Sequence, residues 1–194
     1  DLAFLISISG AGVSAAETTI DQARNEMAAN GMRPPMIEQV VELMTLQYDY
    51  LRTGQGWDRY LEMRQRIAAR MGGNPPEAFP STQDHAYLQL MRPMIVYDPA
   101  PTIRQIRLPV LALFGELDNN ILPEKNRAAW EAALLAGNHP DYTLRILPKA
   151  NHAMLEATAG NNAEMKSLRR FVPAYAEAVL DWLSKRIDAF GAAR

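Results

Sequence analysis

Residues 108–137 read LPVLALFGELDNNILPEKNRAAWEAALLAG, and three patterns follow one another within them. Pro109 to Phe114 is an apolar run without polar alternation, as expected of a parallel strand covered on both faces. It stops at Gly115, in a turn that carries an acid, Asp118. Glu124 to Gly137 then has helical spacing and a glycine at its end. The stretch predicts strand, turn, helix.

Working outward, Asp141 to Pro148 (DYTLRILP) alternates enough to be a strand nearer the sheet edge. Val172 to Ala189 is a closing amphipathic helix with Pro173 in its first turn, where a missing N–H costs nothing. Val179, Leu180, Trp182, Leu183 and Ile187 are its expected buried face. At the front, Leu2 to Ser9 is another wholly apolar run. Strands alternating with helices over short loops imply right-handed crossovers and a parallel sheet.

Between these strands lies a helical stretch. Its first helix opens at Ser14, with Glu17 placed for a capping box, and closes at Asn30 and Gly31. A second, about Met36 to Leu51, puts Met36, Ile37, Val40, Val41, Met44, Tyr48 and Leu51 on one face. A third, Trp57 to Met71, follows Gly54 and Gly56 and ends at GGNPP. A loop and one short helix follow. The predicted class is α/β, with a core strand in 1–13, a helical insertion over 14–98 and the rest of the core in 99–194.

Composition narrows the function classes. A formal net charge of -2 and a pI near 6.0 supply no basic field for nucleic acid or an anionic membrane. With no cysteine there is no disulfide framework and no thiolate metal site. His85, His139 and His152 are too far apart for a ligand pair at helical spacing, so neither a metal nor another cofactor is expected. No apolar run reaches the ~18 residues of a membrane span. The start at Asp1 has neither Met nor a signal pattern, so the chain is expected to be cut from a longer protein, compartment unknown.

Two residues combine a strand end, a turn and a catalytic side chain. Asp118 follows the strand ending VLALFG, and His152 follows LRILP in KANHAML. In open parallel sheets function gathers beyond the carboxyl ends of the strands. A carboxylate beside an imidazole fixes its tautomer and stabilises the imidazolium formed when it takes a proton. Glu116 is the weaker acid candidate, and Glu124 fits the first turn of its helix. His139 is expected in a solvated loop, and His85 in the helical insertion. Eight of the ten Met lie between Met27 and Met94, where gap-filling among helices explains them.

PVLALFGELDNNILPEKN followed by LPKANHAML resembles the C-terminal part of α/β-hydrolase esterases and related serine hydrolases. The likeness lies in the G-x-x-D-x-x-x-P turn and the Asn-His pair beyond the next strand. LAFLISISGAGVSAAE is similar to the strand that follows the nucleophile helix in that family and leads into a helical cap. The resemblance implies the C-terminal part of an α/β-hydrolase fold carrying an inserted cap (lid). It makes Asp118 the triad acid and His152 the general base, in the family's order Ser, Asp, His. The implied activity is carboxylesterase cleavage of small-molecule acyl esters. Peptidase, thioesterase, epoxide hydrolase and dehalogenase chemistry are the alternatives within the fold, and a non-catalytic half-fold interaction module the one outside it.

Ser9 is then the serine to place. Strand, serine turn, helix is how such enzymes present a nucleophile, and small Ser7 and Ala11 flank Ser9 at the elbow positions. But GAGV separates Ser9 from the next helix, and the insertion offers no strand to lie between it and the acid strand. Ser9 is therefore read as a look-alike. Ser7 points the wrong way along the strand, Ser14 caps a helix, and Ser81, Ser167 and Ser184 lie in loops or helices. The nucleophile is expected upstream of the chain. Leu2–Ser9 would then pair with that missing N-terminal portion or, without it, self-associate.

Overall fold

A computed structural model describes residues 2–73, 76–161 and 163–192. Asp1 and the Asn74-Pro75 part of the expected GGNPP stop lie outside them. The fold is mixed α/β, a small parallel sheet with flanking helices. Among the described residues it has three strands and seven helices, in two compact units, one of them Val13–Pro99.

The first unit contains the sheet. β1 (Leu5–Ile8), β2 (Val110–Gly115) and β3 (Tyr142–Leu147) lie in the order β1-β2-β3, all parallel. Leu5 is in register with Val110, and Val110 with Tyr142. Every residue of β2 is buried, which explains its unbroken apolar run. Val110, Ala112 and Phe114 pack against α6 (Pro123–Ala136) through Trp130, Ala133 and Leu134. Leu111 and Leu113 face the other way, onto Ala178 and Trp182 of α7 (Pro173–Ala192). β3 carries an exposed Arg145 between inward neighbours, the alternation of an edge strand.

Three expectations need correction here. β1 is shorter than Leu2–Ser9, because pairing with β2 begins at the Leu5 N–H on Pro109 and ends at the Ser9 N–H on Leu113. On α7, Leu180 is 65% exposed and Ile187 64%. Both lie on the flank opposite Ala178 and Trp182, where no sheet runs beneath them. His139 is not a solvated loop residue. It is 7% exposed, its Nε2 lies 2.8 Å from the Leu108 carbonyl, and its Nδ1 accepts the Asp141 N–H at 3.2 Å. With Nδ1 accepting, Nε2–H is the donor. The ring ties the loops entering β2 and β3 together, so burial is the condition of its two bonds.

The second unit is helical: α1 (Ala15–Ala29), α2 (Pro34–Thr53), α3 (Trp57–Met71) and α4 (Ala86–Ile95). A short α5 (Ala100–Ile103) follows in the sheet unit. Ser14 caps α1 by the expected box, accepting the Glu17 N–H while Glu17 accepts in return. Gly54 and Gly72 end α2 and α3 in the left-handed conformation. Met36 is only half-buried, whereas Leu43, Gln47 and Tyr50 are buried besides the expected stripe. α2 is therefore wrapped on two sides, one cluster forming around Tyr48 and Leu51 and another around Leu43 and Tyr60.

Gln47 Nε2, Tyr60 Oη and Arg64 Nε donate to the carbonyls of Ala78, Pro80 and Phe79, pinning the loop between α3 and α4. Burial pushes the Tyr60 hydroxyl up to about 12, so it stays protonated and keeps donating. Main-chain pairing of the Ala15 N–H with the Tyr97 carbonyl brings the two ends of this unit together.

Candidate active site

β2 and β3 end side by side, and the turns beyond them build the site. After Gly115 the chain folds back through Glu116 and Leu117, whose N–H groups donate to the Leu147 and Ala150 carbonyls. That approach requires glycine at 115: a Cβ there would lie 2.4 Å from the Asn151 carbonyl oxygen and 2.5 Å from that of Ala150. The histidine loop thus rests directly on the end of the acid strand.

Asp118 is fully buried along its side chain and does two jobs with its two oxygens. Oδ1 accepts the N–H groups of Asn120 and Ile121 at 2.9 and 2.8 Å, closing the turn into α6. Oδ2 lies 2.9 Å from Nδ1 of His152. Closing a turn and contacting an imidazole thus coexist on one carboxylate.

A carboxylate only accepts, so Nδ1 of His152 carries the proton and Nε2 is left with a lone pair. Nε2 has no hydrogen-bond partner among the described residues, and the side chain is 44% exposed. The hydrogen bond to Asp118 holds the imidazole above its ordinary 6.5; burial opposes this, and the Asp118 charge adds to it. Chemically this is a base whose tautomer and orientation are set from behind and whose free nitrogen faces outward.

The loop around His152 is folded by Asn151, which is completely buried. Its Oδ1 accepts the Ala153 and Leu155 N–H groups, and its Nδ2 lies 2.9 Å from Sδ of Met165. Lys149 and Met154, at φ 59° and 60°, supply the two sharp bends. Glu116, the other acid candidate, accepts the Lys149 N–H at 2.8 Å and supports the bend instead of the ring. Glu124 sits in the first turn of α6 and reaches Arg127. His85 caps α4 in the helical unit, its Nδ1 accepting the Tyr87 N–H.

Ser9 stands at the tip of β1 with φ 49° and 7% exposure. Its hydroxyl donates to the main-chain carbonyl of His152 at 2.8 Å. The proton of Ser9 is therefore spent on the histidine's backbone.

Sequence reading missed the segment that buttresses the acid turn. Glu164 accepts the N–H groups of Thr158, Ala159 and Gly160, and these bonds lower its pKa from the ordinary 4.5. Asn161 in turn accepts the Glu164 N–H, at the Asn-x-x-Glu spacing of a capping box, which was the available signal. Gly160, at φ 69°, lies so close to Leu117 that a Cβ would fall 1.8 Å from its carbonyl oxygen. Asn119 Nδ2 also donates to the Ala159 carbonyl.

Among the described residues no group of three or more His, Asp and Glu could hold a metal ion, and no helix is long and apolar enough to cross a membrane. Comparison of the chain with family models, curated proteins and solved structures yields no match.

Proposed function

We propose that this chain carries the acid and base of a serine hydrolase, within the C-terminal part of an α/β-hydrolase fold. The observation that supports this most is the Asp118–His152 pair: a buried carboxylate behind an imidazole whose other nitrogen has no hydrogen-bond partner among the described residues. In this reading His152 Nε2 takes the proton of a serine hydroxyl as that oxygen attacks an ester carbonyl, and later returns it to the leaving alcohol. Asp118 stays ionised and stabilises the imidazolium between the two transfers. The nucleophile and the oxyanion donors come from sequence upstream of Asp1, since Ser9 is bonded to a carbonyl. In this reading the helical insertion over 14–98 serves as the cap, and the substrates are small acyl esters. No cofactor or metal enters this chemistry.

The test is labelling of the protein from its complete reading frame with a fluorophosphonate, which reacts with base-activated serines. The reading expects one labelled serine upstream of Asp1, with labelling slowed by orders of magnitude in His152→Ala. Label on Ser9, or equal labelling in both proteins, would overturn it.

A further inference from the structure

We propose that Ser9 is a positioning residue for His152, holding the histidine's own peptide unit so that its ring stays on Asp118. The assignment rests on the acid–base reading of that pair. It starts from a conflict in the backbone: Ser9 adopts φ 49°, a left-handed conformation that glycine takes freely and other L-residues resist. The neighbouring residue is Gly10, so a glycine-rich turn was within easy reach of this sequence. What serine has and glycine lacks is the hydroxyl. Here that group makes a 2.8 Å bond to a residue 143 positions away.

The geometry explains why this bond matters. The peptide joining His152 to Ala153 is held at both ends: Ser9 Oγ grips its carbonyl, and Asn151 Oδ1 accepts its N–H at 2.9 Å. The peptide before it is held as well, the Asn151 carbonyl accepting the Met154 N–H at 3.0 Å. Two fixed peptide planes that meet at the His152 Cα together set its φ and ψ and the direction in which its Cα–Cβ bond leaves the chain. Half of this clamp comes from the loop itself. The other half comes from β1, two strands from the one that delivers the loop.

Ser9 is a firm post for the purpose. Its N–H donates to Leu113 of β2 at 2.8 Å. Beyond it, Trp130 Nε1 donates to the Gly10 carbonyl at 3.0 Å, and the Gly12 N–H to Oδ1 of Asn126 at 2.8 Å. Because a 44% exposed imidazole has few neighbours to confine it, its orientation depends on its main chain and on Asp118.

The experiment compares the full chain with Ser9→Gly and Ser9→Ala by proton and nitrogen-15 NMR of the His152 imidazole. The parent is expected to show a downfield Nδ1–H resonance that exchanges slowly with water. In both variants that exchange should speed up by roughly five- to tenfold, the worth of one hydrogen bond, while amides of β2 keep their parent exchange rates. Ser9→Gly removes the hydroxyl while relieving the backbone, so it decides the matter even where Ser9→Ala does not fold. An unchanged Nδ1–H signal and exchange rate in Ser9→Gly would overturn the role of Ser9. A parent lacking the resonance altogether would overturn the Asp118–His152 pair and this proposal with it, so the two failures are distinct.

Discussion

Replacing Asp118 by Asn and by Ala should separate its two jobs, because each oxygen has its own partners. Asn keeps a carbonyl oxygen where Oδ1 now accepts the Asn120 and Ile121 N–H groups. It puts an NH₂ opposite His152 Nδ1, two donors cannot face one another, and the ring must move its proton to Nε2. A charge-assisted bond of about 1.5–3 kcal/mol is then exchanged for a neutral one of about 0.5–1.5, a loss of roughly 1–2 kcal/mol. Ala deletes both jobs. It loses the whole charge-assisted bond, about 1.5–3 kcal/mol, and leaves the buried Ile121 N–H without an acceptor at a further cost of about 1–3 kcal/mol, for a total of roughly 3–6. At about 2–4 °C per kcal/mol for a domain of this size, Asn should lower Tm by roughly 2–8 °C, and Ala by clearly more.

The pH dependence has a definite sign. His152 is raised above 6.5 in the folded chain, chiefly by its bond to Asp118. Stability from that shift is fully present below about pH 6.5 and is lost as pH rises through the folded value. The gap between parent and Asp118→Asn should therefore be wider near pH 5.5 than near pH 8. Thermal unfolding at the two pH values, with imidazole nitrogen-15 shifts for the tautomer, measures all of this. An Asn variant that kept its proton on Nδ1, or an Ala variant no less stable than Asn, would refute the division of labour between the two oxygens.

In the complete protein, Asp118→Asn should lower ester turnover by about four orders of magnitude, and adding His152→Ala should make it little worse, since triad members act as a unit. The 194-residue chain alone should show no esterase activity in a chromogenic acyl-ester assay. Gly115→Ala should cost about 1–3 kcal/mol and broaden the His152 signals, because its Cβ would strike main-chain oxygens that cannot swing aside. Thr158, Ala159 and Gly160 amides should be protected from hydrogen exchange at neutral pH, and their protection relative to the intrinsic exchange rate at each pH should fall as pH drops below the ordinary 4.5 of Glu164, because stability from a lowered carboxylate pKa is lost on protonation. The isolated chain should self-associate through the free edge of β1, where the N–H and C=O groups of Ile6 and Ile8 point away from β2, and Ile8→Lys should reduce the mass seen by light scattering.

How far the sequence could be read follows from where the information lies. β2 was legible because a strand covered on both faces by α6 and α7 must be apolar throughout, and Val110–Phe114 is. Asp118 and His152 stood out because each follows a strand end, and the parallel register that sets β2 beside β3 brings those ends together. His139 was misread because a histidine beside Gly, Asn and Pro has the composition of a solvated loop. The carbonyl it serves, Leu108, is 31 positions away and invisible in local pattern. Leu180 and Ile187 failed for a related reason: helical spacing shows that α7 has an apolar side, but not how wide a strip of sheet lies beneath it. Ser9 is the sharpest case. Its small neighbours and its position after a strand are what a nucleophile turn and a backbone clamp have in common, since both need a serine held in an unfavourable backbone conformation with little room around it. The difference is the acceptor of one hydroxyl proton, a ring nitrogen or a main-chain oxygen, and that depends on a loop 143 residues further along the chain.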